Sequence, residues 1–330
     1  MKLLKLAAAA AVVVSTFATS AYAQEIRIAQ LRQINYLPFT VIEQQGLFEK
    51  HAAELGAPDM TAQFITFGNG SATTDALISG NVEFVAVGLT NFAILWERSG
   101  GNVKGVSSVS GIPFPLLTRN PDIQTIEDFG PNDRIAVPTI GVSVQAIMLS
   151  IALEKAYGPE GRDRLNEQTV QLSHPDAAQA LSNPQHEVNS HFSSAPYYLV
   201  SLRDPNIREI FSYSELFEEP VASNILFTTT QQHEANPIAS QAMIAALKEA
   251  HDFINDNVEE AARLYLEVSG DPITEEEVVA VLTGEGTVFS TNPAGAMPVW
   301  EFMNDSGMLQ TRPETWQEMF FENVHDQIAD

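Results

Sequence analysis

The amino-acid sequence predicts an α/β protein of two similar halves, with mixed, mostly parallel sheets flanked by helices. Three observations predict it. Strand-like and helix-like segments alternate from about residue 25 to about residue 220, the pattern of strands joined by helical crossovers. Within each half a strand leads into a polar or glycine-containing turn and then into a helix. The 330 residues also suffice for roughly two domains.

Taken in order, Glu25 to Gln30 alternates with period two, as a half-buried strand does, and Leu37 to Phe48 carries helical apolar spacing that ends near Gly46. Met60 to Phe67 is the second strand. Gly68-Asn69-Gly70-Ser71 follows, and the short helix over Ala72 to Ser79 takes Ser71 as its expected N-cap. Phe84 to Val87 reads as a buried strand and Asn91 to Arg98 as a helix.

The same grammar recurs in the middle of the chain. Leu116 to Thr118, Arg134 to Val137, Thr169 to Leu172 and Val188 to Phe192 read as strands; Thr125 to Asp128 is a helical turn, and helices are expected over Ser143 to Tyr157 and Ala177 to Leu181. After Pro220 the character changes. Ser223 to Thr228 is strand-like, and Pro237 to Asn255 is a helix whose Met243, Leu247, Ala250 and Ile254 form one apolar stripe. Val258 to Val268 is another helix, Thr274-Glu275-Glu276-Glu277 is a capping box that opens a third, and Thr311 to Glu314 is expected to start the last.

Composition bounds the partners. With 45% hydrophobic and 18% charged residues the chain is globular, and the lack of any cysteine removes disulfides, thiolate metal sites and a cysteine nucleophile. Lys2 and Lys5, the apolar run Leu6 to Val14 and the small-x-small box Ala21-Tyr22-Ala23 read as a secretory signal peptide over residues 1–23, cleaved after Ala23 to release a periplasmic protein. Its apolar run falls short of the roughly 20 residues that span a bilayer. A formal charge of −25 repels phosphate backbones and anionic membranes, so nucleic acid is not an expected partner. A small anion remains compatible if its donors are backbone N–H groups at helix N-termini.

Enzyme signatures fail one by one. Gly68-Asn69-Gly70 lacks the third glycine of a dinucleotide fingerprint, no phosphate-binding G-x-x-x-x-G-K-[ST] occurs, and Gly141-Val142-Ser143-Val144-Gln145 misses the final glycine of a nucleophile elbow. His186 and His191 are five apart on a strand-like segment and project from opposite faces, so no metal is expected, and no cofactor either.

In open α/β sheets ligands collect beyond the carboxyl ends of the strands. That rule selects the turns Gln30 to Tyr36, Gly68 to Ser71, Gly88 to Asn91, Thr139 to Ser143 and His191 to Ser194. The candidate ligand-binding residues there are Gln30, Arg32, Tyr36, Asn69, Gly70, Ser71, Thr90, Asn91, Thr139, Val142, Ser143, His191 and Phe192. Ser71, Thr90 and Ser143 each join a hydroxyl to a following helix, so each offers O–H and N–H donors to an oxyanion or acts as a plain cap. His191 is read either as a donor to an anion that titrates near neutral pH or as a satisfied structural histidine. Tyr36 and Phe192 are aromatic walls or core.

The order of several segments carries a family likeness. Tyr36-Leu37-Pro38-Phe39 followed by Glu43-Gln44-Gln45-Gly46-Leu47-Phe48-Glu49-Lys50 resembles the opening of the nitrate/sulfonate/taurine class of periplasmic substrate-binding proteins, related to the thiamine-pyrimidine binders. Gly68-Asn69-Gly70-Ser71 and Ala76-Leu77-Ile78-Ser79-Gly80-Asn81-Val82-Glu83-Phe84 resemble the family's next segment, with Glu83 where aspartate is usual. Thr125 to Ile135 and Ala178 to Phe192 are similar to later segments, the last in a longer, looser form.

The resemblance implies a type II two-lobed binding-protein fold with a hinge of two crossover strands. One lobe would comprise 24–113 plus 222–330 and the other 114–221, and Asn224 becomes a cleft candidate. It further implies a monomer that binds a small-molecule ligand and docks on an inner-membrane ABC permease with a cytoplasmic ATPase, the ligand being a small organic anion or zwitterion such as a sulfonate or taurine. A pyrimidine thiamine precursor, an aromatic acid or nitrate are the alternatives. A pyrimidine-synthase-like enzyme of similar outline depends on a cysteine-rich motif that this chain lacks.

Overall fold

The computed structural model describes residues 24–328; the expected signal peptide and its cleavage site lie outside the described residues. The first half runs β1 (Gln24–Leu31), α1 (Leu37–Gln45), α2 (Leu47–Glu54), β2 (Met60–Phe67), α3 (Gly70–Ile78), β3 (Phe84–Gly88), α4 (Leu89–Arg98) and β4 (Val103–Ser110). The second runs β5 (Pro115–Thr118), β6 (Ile135–Val137), α5 (Val144–Tyr157), β7 (Thr169–Gln171), α6 (His174–Ser182), β8 (Ser190–Phe192), α7 (Tyr197–Ser201) and β9 (Arg208–Ser212). Then come β10 (Asn224–Thr229), α8 (Thr230–Ala235), α9 (Pro237–Asp256), α10 (Val258–Ser269), α11 (Glu275–Leu282) and α12 (Met297–Asp305).

The strands form two five-stranded sheets, ordered β2-β1-β3-β10-β4 and β7-β6-β8-β5-β9. Strand β1 is parallel to β2 and β3, and β6 to β7 and β8. Strands β10 and β5 each run antiparallel to both neighbours. The sheets are therefore mixed as expected, with parallel and antiparallel ladders in equal number. The cause is topological: β5 and β10 are the first strands laid down after the chain passes from one sheet to the other.

Those passages are residues 111–114 and 217–223. Gly111 exchanges hydrogen bonds with Val288, 2.8 Å from its N–H and 2.7 Å to its carbonyl. A Cβ on Gly111 would stand 1.9 Å from the Val221 carbonyl oxygen, so the two passages touch where only glycine fits.

Helix α9 packs against α1 and α2, and its expected stripe of Met243, Leu247, Ala250 and Ile254 is buried there. Behind β10 an aromatic cluster ties the C-terminal part to the first sheet: Phe92 lies 5.2 Å from Phe227, 6.0 Å from Trp300 and 5.6 Å from Phe320. The Trp300 indole N–H donates to the Leu89 carbonyl at 3.1 Å.

Three local expectations are corrected. The helix over Leu37 to Phe48 is two helices, broken where Gly46 turns left-handed (φ 64) and caps α1. Helix α3 begins two residues earlier than expected, and its N-cap is Asn69, whose Oδ1 accepts the Ala72 N–H at 2.9 Å; Ser71 lies inside the helix. No helix starts at Thr311 to Glu314. There the Glu97 carboxylate accepts the N–H groups of Gln310 and Thr311, both at 2.6 Å, which holds the segment against α4 instead. Glu83 also gains a reason. Its carboxylate accepts the Arg27 backbone N–H at 2.8 Å and pairs with the Arg27 guanidinium at 2.7 Å, closing the end of α3 onto β1.

Candidate functional site

The sheets face each other across a cleft into which the carboxyl ends of β1, β3 and β6 and the start of β10 open. The cleft holds about 460 Å³ of space, its mouth included. Its wall is built from the residues around the starts of five helices: Tyr36 before α1, Gly70 of α3, Gly88 and Asn91 at α4, Ser143 to Gln145 at α5, and His174 of α6. The first N–H groups of a helix have no intrahelical acceptor and carry the positive end of its dipole. The starts of helices from both sheets therefore meet at one small volume.

No Asp, Glu, Lys or Arg lines that volume. Its polar groups are neutral: the carboxamides of Gln33, Asn35, Asn91, Gln145 and Asn224, the hydroxyls of Tyr36, Thr139, Ser143 and Ser223, and the His174 imidazole. The Tyr36 phenol donates to Asn224 Oδ1 at 3.2 Å and is pushed well up in pKa by burial, so it remains a neutral donor. Ser143 caps α5 by accepting from Ala146 N–H at 3.4 Å and donates to the Thr139 carbonyl at 2.9 Å. The Thr139 hydroxyl itself is buried and has no partner.

A histidine pair runs inward from the wall, with His174 lining the cavity and His191 behind it. Gln145 Nε2 lies 3.2 Å from His174 Nε2, and His174 Nδ1 lies 3.0 Å from His191 Nε2. Burial lowers the His174 pKa to about 3 and that of His191 well below its ordinary value, the latter with a further contribution from His174. Both rings are neutral, one N–H lies between them, and His191 Nδ1 has no partner.

The structure brings Tyr36, Gly70, Asn91, Thr139, Ser143 and Asn224 together in the wall. The other candidates go elsewhere. The Arg32 guanidinium turns outward to the Ser269 carbonyl (2.7 Å) and Asp271 (3.1 Å), with 60% of its side chain exposed. Thr90 is fully buried and donates to the Val142 carbonyl at 2.6 Å, so this pair bridges the two sides of the cleft. Gln30 lies toward an outer recess, Asn69 caps α3 at the cleft mouth, and Ser71 is not in the wall. His191 is screened by His174, and Phe192 is core, 5.4 Å from Phe114 and 5.5 Å from Phe211. Gln33 and Asn35 lie in a selected turn but were not among the candidates, and the turn rule missed Gln145, His174 and Ser223. The signal for His174 was present as Ser173-His174-Pro175, a serine cap followed by a proline-opened helix after a strand.

The two sides touch around the cavity. Tyr197 Oη donates to the Arg32 carbonyl at 3.2 Å, Arg203 donates to the Pro272 carbonyl at 2.7 Å and Glu277 at 2.8 Å, and Arg162 donates to the Asp305 carbonyl at 3.1 Å while lying 5.3 Å over the Phe302 ring. A Cβ on Gly88 would approach Val144 Cγ2 to 2.5 Å, so the backbone of one side sits directly against a side chain of the other. This is a closed arrangement.

With this geometry the chain was compared with known proteins. No protein-family model matches it, and no curated protein matches it by sequence. Solved structures do match. The periplasmic aliphatic sulphonate binding protein SsuA from Escherichia coli superposes with a TM-score of 0.66 at 18% identity, covering 90% of this chain and 98% of its own. The periplasmic nitrate-binding protein NrtA from Synechocystis PCC 6803 gives 0.70 at 12% identity, over 93% and 88%. A Candida albicans protein described as exhibiting the generic periplasmic binding protein fold gives 0.68 at 16% identity, over 92% and 95%. The chain thus has the two-lobed fold of the periplasmic binding proteins. The two bacterial neighbours are described as binding proteins.

Proposed function

We propose that this protein is the extracytoplasmic solute-binding component of an ABC importer and that it captures a small organic monoanion between its lobes. The observation that supports this best is the convergence of helix N-termini from both sides on a cavity without a charged side chain, in whose wall the buried Thr139 hydroxyl waits without a partner. Neutral donors and helix dipoles stabilise one negative charge. A dianion would find no cation there, and the ammonium of a zwitterion such as taurine would find no carboxylate. Sulfonates and carboxylates with a single charge fit this donor set.

On this reading the lobes are 24–113 plus 222–330 and 114–221, the passages at 111–114 and 217–223 are the hinge, and the export signal is removed after Ala23. The partners are a membrane permease and its cytoplasmic ATPase, and the binding protein works as a monomer. One observation favours a second reading: five carboxamides in one wall also suit a neutral heterocycle such as a pyrimidine, whose edge both donates and accepts. A thermal-shift series on the chain from residue 24, with sulfonates, carboxylates, nitrate, taurine and pyrimidines, separates the two. A ligand at 100 times its Kd adds about 2.7 kcal/mol of stability. Stabilisation by monoanions supports the first reading, and stabilisation by pyrimidines alone replaces it with the second.

A further inference from the structure

We infer that the anion carries an apolar, ring-sized tail, so that the solute class is an aryl sulfonate or aryl carboxylate and not a bare inorganic anion or a short aliphatic one. This rests on the reading of the inner cavity as the seat of the charged head. A second chamber lies at the mouth of the cleft, with about 720 Å³ of space, its open side included. It shares Leu31, Gln33, Pro138 and His174 with the inner cavity, so the two are neighbours on either side of these residues.

Two sides of this chamber present carbon, between polar residues that include Gln33 and Thr66. Leu31 and Phe67, at the ends of β1 and β2, form one side; Pro138, Pro175 and Tyr197 form the other. Leu31, Phe67 and Tyr197 are only half-buried, although each lies between lobes that already touch. That leaves apolar surface in contact with water beside the inner cavity, and covering it favours binding. The Tyr197 ring lies nearly parallel to His174, 5.8 Å away at 15°, and continues the wall of the inner cavity outward.

Four of the polar groups at the edge of the chamber are engaged with the protein. Ser173 donates to Asp176 Oδ2 at 2.5 Å, the Tyr197 hydroxyl is held by the Arg32 carbonyl, Asn69 Oδ1 caps α3, and the Arg32 guanidinium is turned to Asp271. A charged or strongly polar tail would lose its water here and gain little. An apolar ring loses nothing.

Titration calorimetry with methanesulfonate, benzenesulfonate and benzyl alcohol tests the inference, each measured on the chain from residue 24 and on its Phe67→Ala variant. On the unsubstituted chain benzenesulfonate is expected to bind at least tenfold tighter than methanesulfonate, with benzyl alcohol far weaker than either. Phe67→Ala is expected to cut the tenfold advantage below threefold while the melting temperature and the methanesulfonate Kd stay close to those of the parent. Equal affinities for the two sulfonates on the unsubstituted chain would overturn the tail and leave the head site standing. Binding of benzyl alcohol as tight as benzenesulfonate, or no binding of either sulfonate, would overturn the head site and the tail with it. The comparison on the unsubstituted chain decides the matter even if Phe67→Ala does not fold.

Discussion

Thr139 is the residue on which the account of the site turns, because a buried hydroxyl without a partner is costly unless a ligand completes it. Thr139→Val keeps the shape and removes the donor. A hydrogen bond to a charged acceptor contributes about 1.5–3 kcal/mol, so ligand affinity is expected to fall by at least tenfold in a calorimetric titration, with little change in melting temperature. Arg32→Ala should leave affinity within about twofold, since its guanidinium already serves Ser269 and Asp271. The buried histidines give a pH signature. Burial holds His174 at about 3, His251 at about 4 and His191 well below its ordinary value, whereas in the unfolded chain each titrates near 6.5. Below that pH the unfolded state takes up protons that the native state refuses, so stability present above 6.5 is lost as pH falls toward 4. The loss is about 1.4 kcal/mol per pH unit for each histidine, and urea unfolding at pH 7.5 and 5.0 measures it. At this scale the sequence disclosed those side chains that sit in turns after strands, such as Tyr36 and Thr139. Gln145 and His174 stayed hidden because they lie one or two residues inside a helix, where a polar residue usually faces water. Arg32 misled for the opposite reason: its position in a binding turn is right, but its long side chain reaches past the cleft to Asp271.

Helix α3 shows how an element is decided by its end. Asn69 is extended (φ −158, ψ 168) and accepts from Ala72 N–H, so Asn69→Ala should cost about 1 kcal/mol in thermal unfolding. Ser71→Ala, inside the first turn, should stay within about 0.5 kcal/mol. Sequence reading placed the helix but chose the wrong cap, because asparagine and serine two residues apart satisfy the same rule and only the backbone angles decide between them. Long helices with a clear apolar stripe, α9 above all, were legible with their bounds to within a residue. The capping box at Thr274 was legible too, and Thr274 accepts the Glu277 N–H at 3.2 Å. Strands β4 and β9 were not foreseen. The three serines of β4 look like a loop, yet all three are buried outright, Ser110 while donating to the Asn35 carbonyl at 2.8 Å.

On the scale of the whole molecule, the alternation of strands and helices was enough to anticipate two α/β lobes, while the even mix of ladder directions was not, because it follows from where the chain changes sheets. Closure is held by contacts on opposite sides of the cleft, Arg162 with Asp305 and Phe302, and Arg203 with Pro272 and Glu277. Exposed pairs of this kind contribute little each, yet together they bias an equilibrium between open and closed lobes. The Arg162→Ala, Arg203→Ala double variant should show a larger radius of gyration in small-angle scattering without ligand, and several-fold weaker binding. Gly88→Val should act more strongly. Its side chain would collide with Val144 across the cleft, so affinity is expected to fall more than tenfold while each lobe remains folded by circular dichroism.

On the proposed function the cleft holds one negative charge with neutral donors. The most direct test is a competition titration of the chain from residue 24 with benzenesulfonate, the isosteric neutral benzenesulfonamide and taurine. Saturable binding of the sulfonate, at least tenfold weaker binding of the sulfonamide and no measurable competition from taurine are expected. Equal binding of sulfonate and sulfonamide, or a preference for taurine, would contradict it.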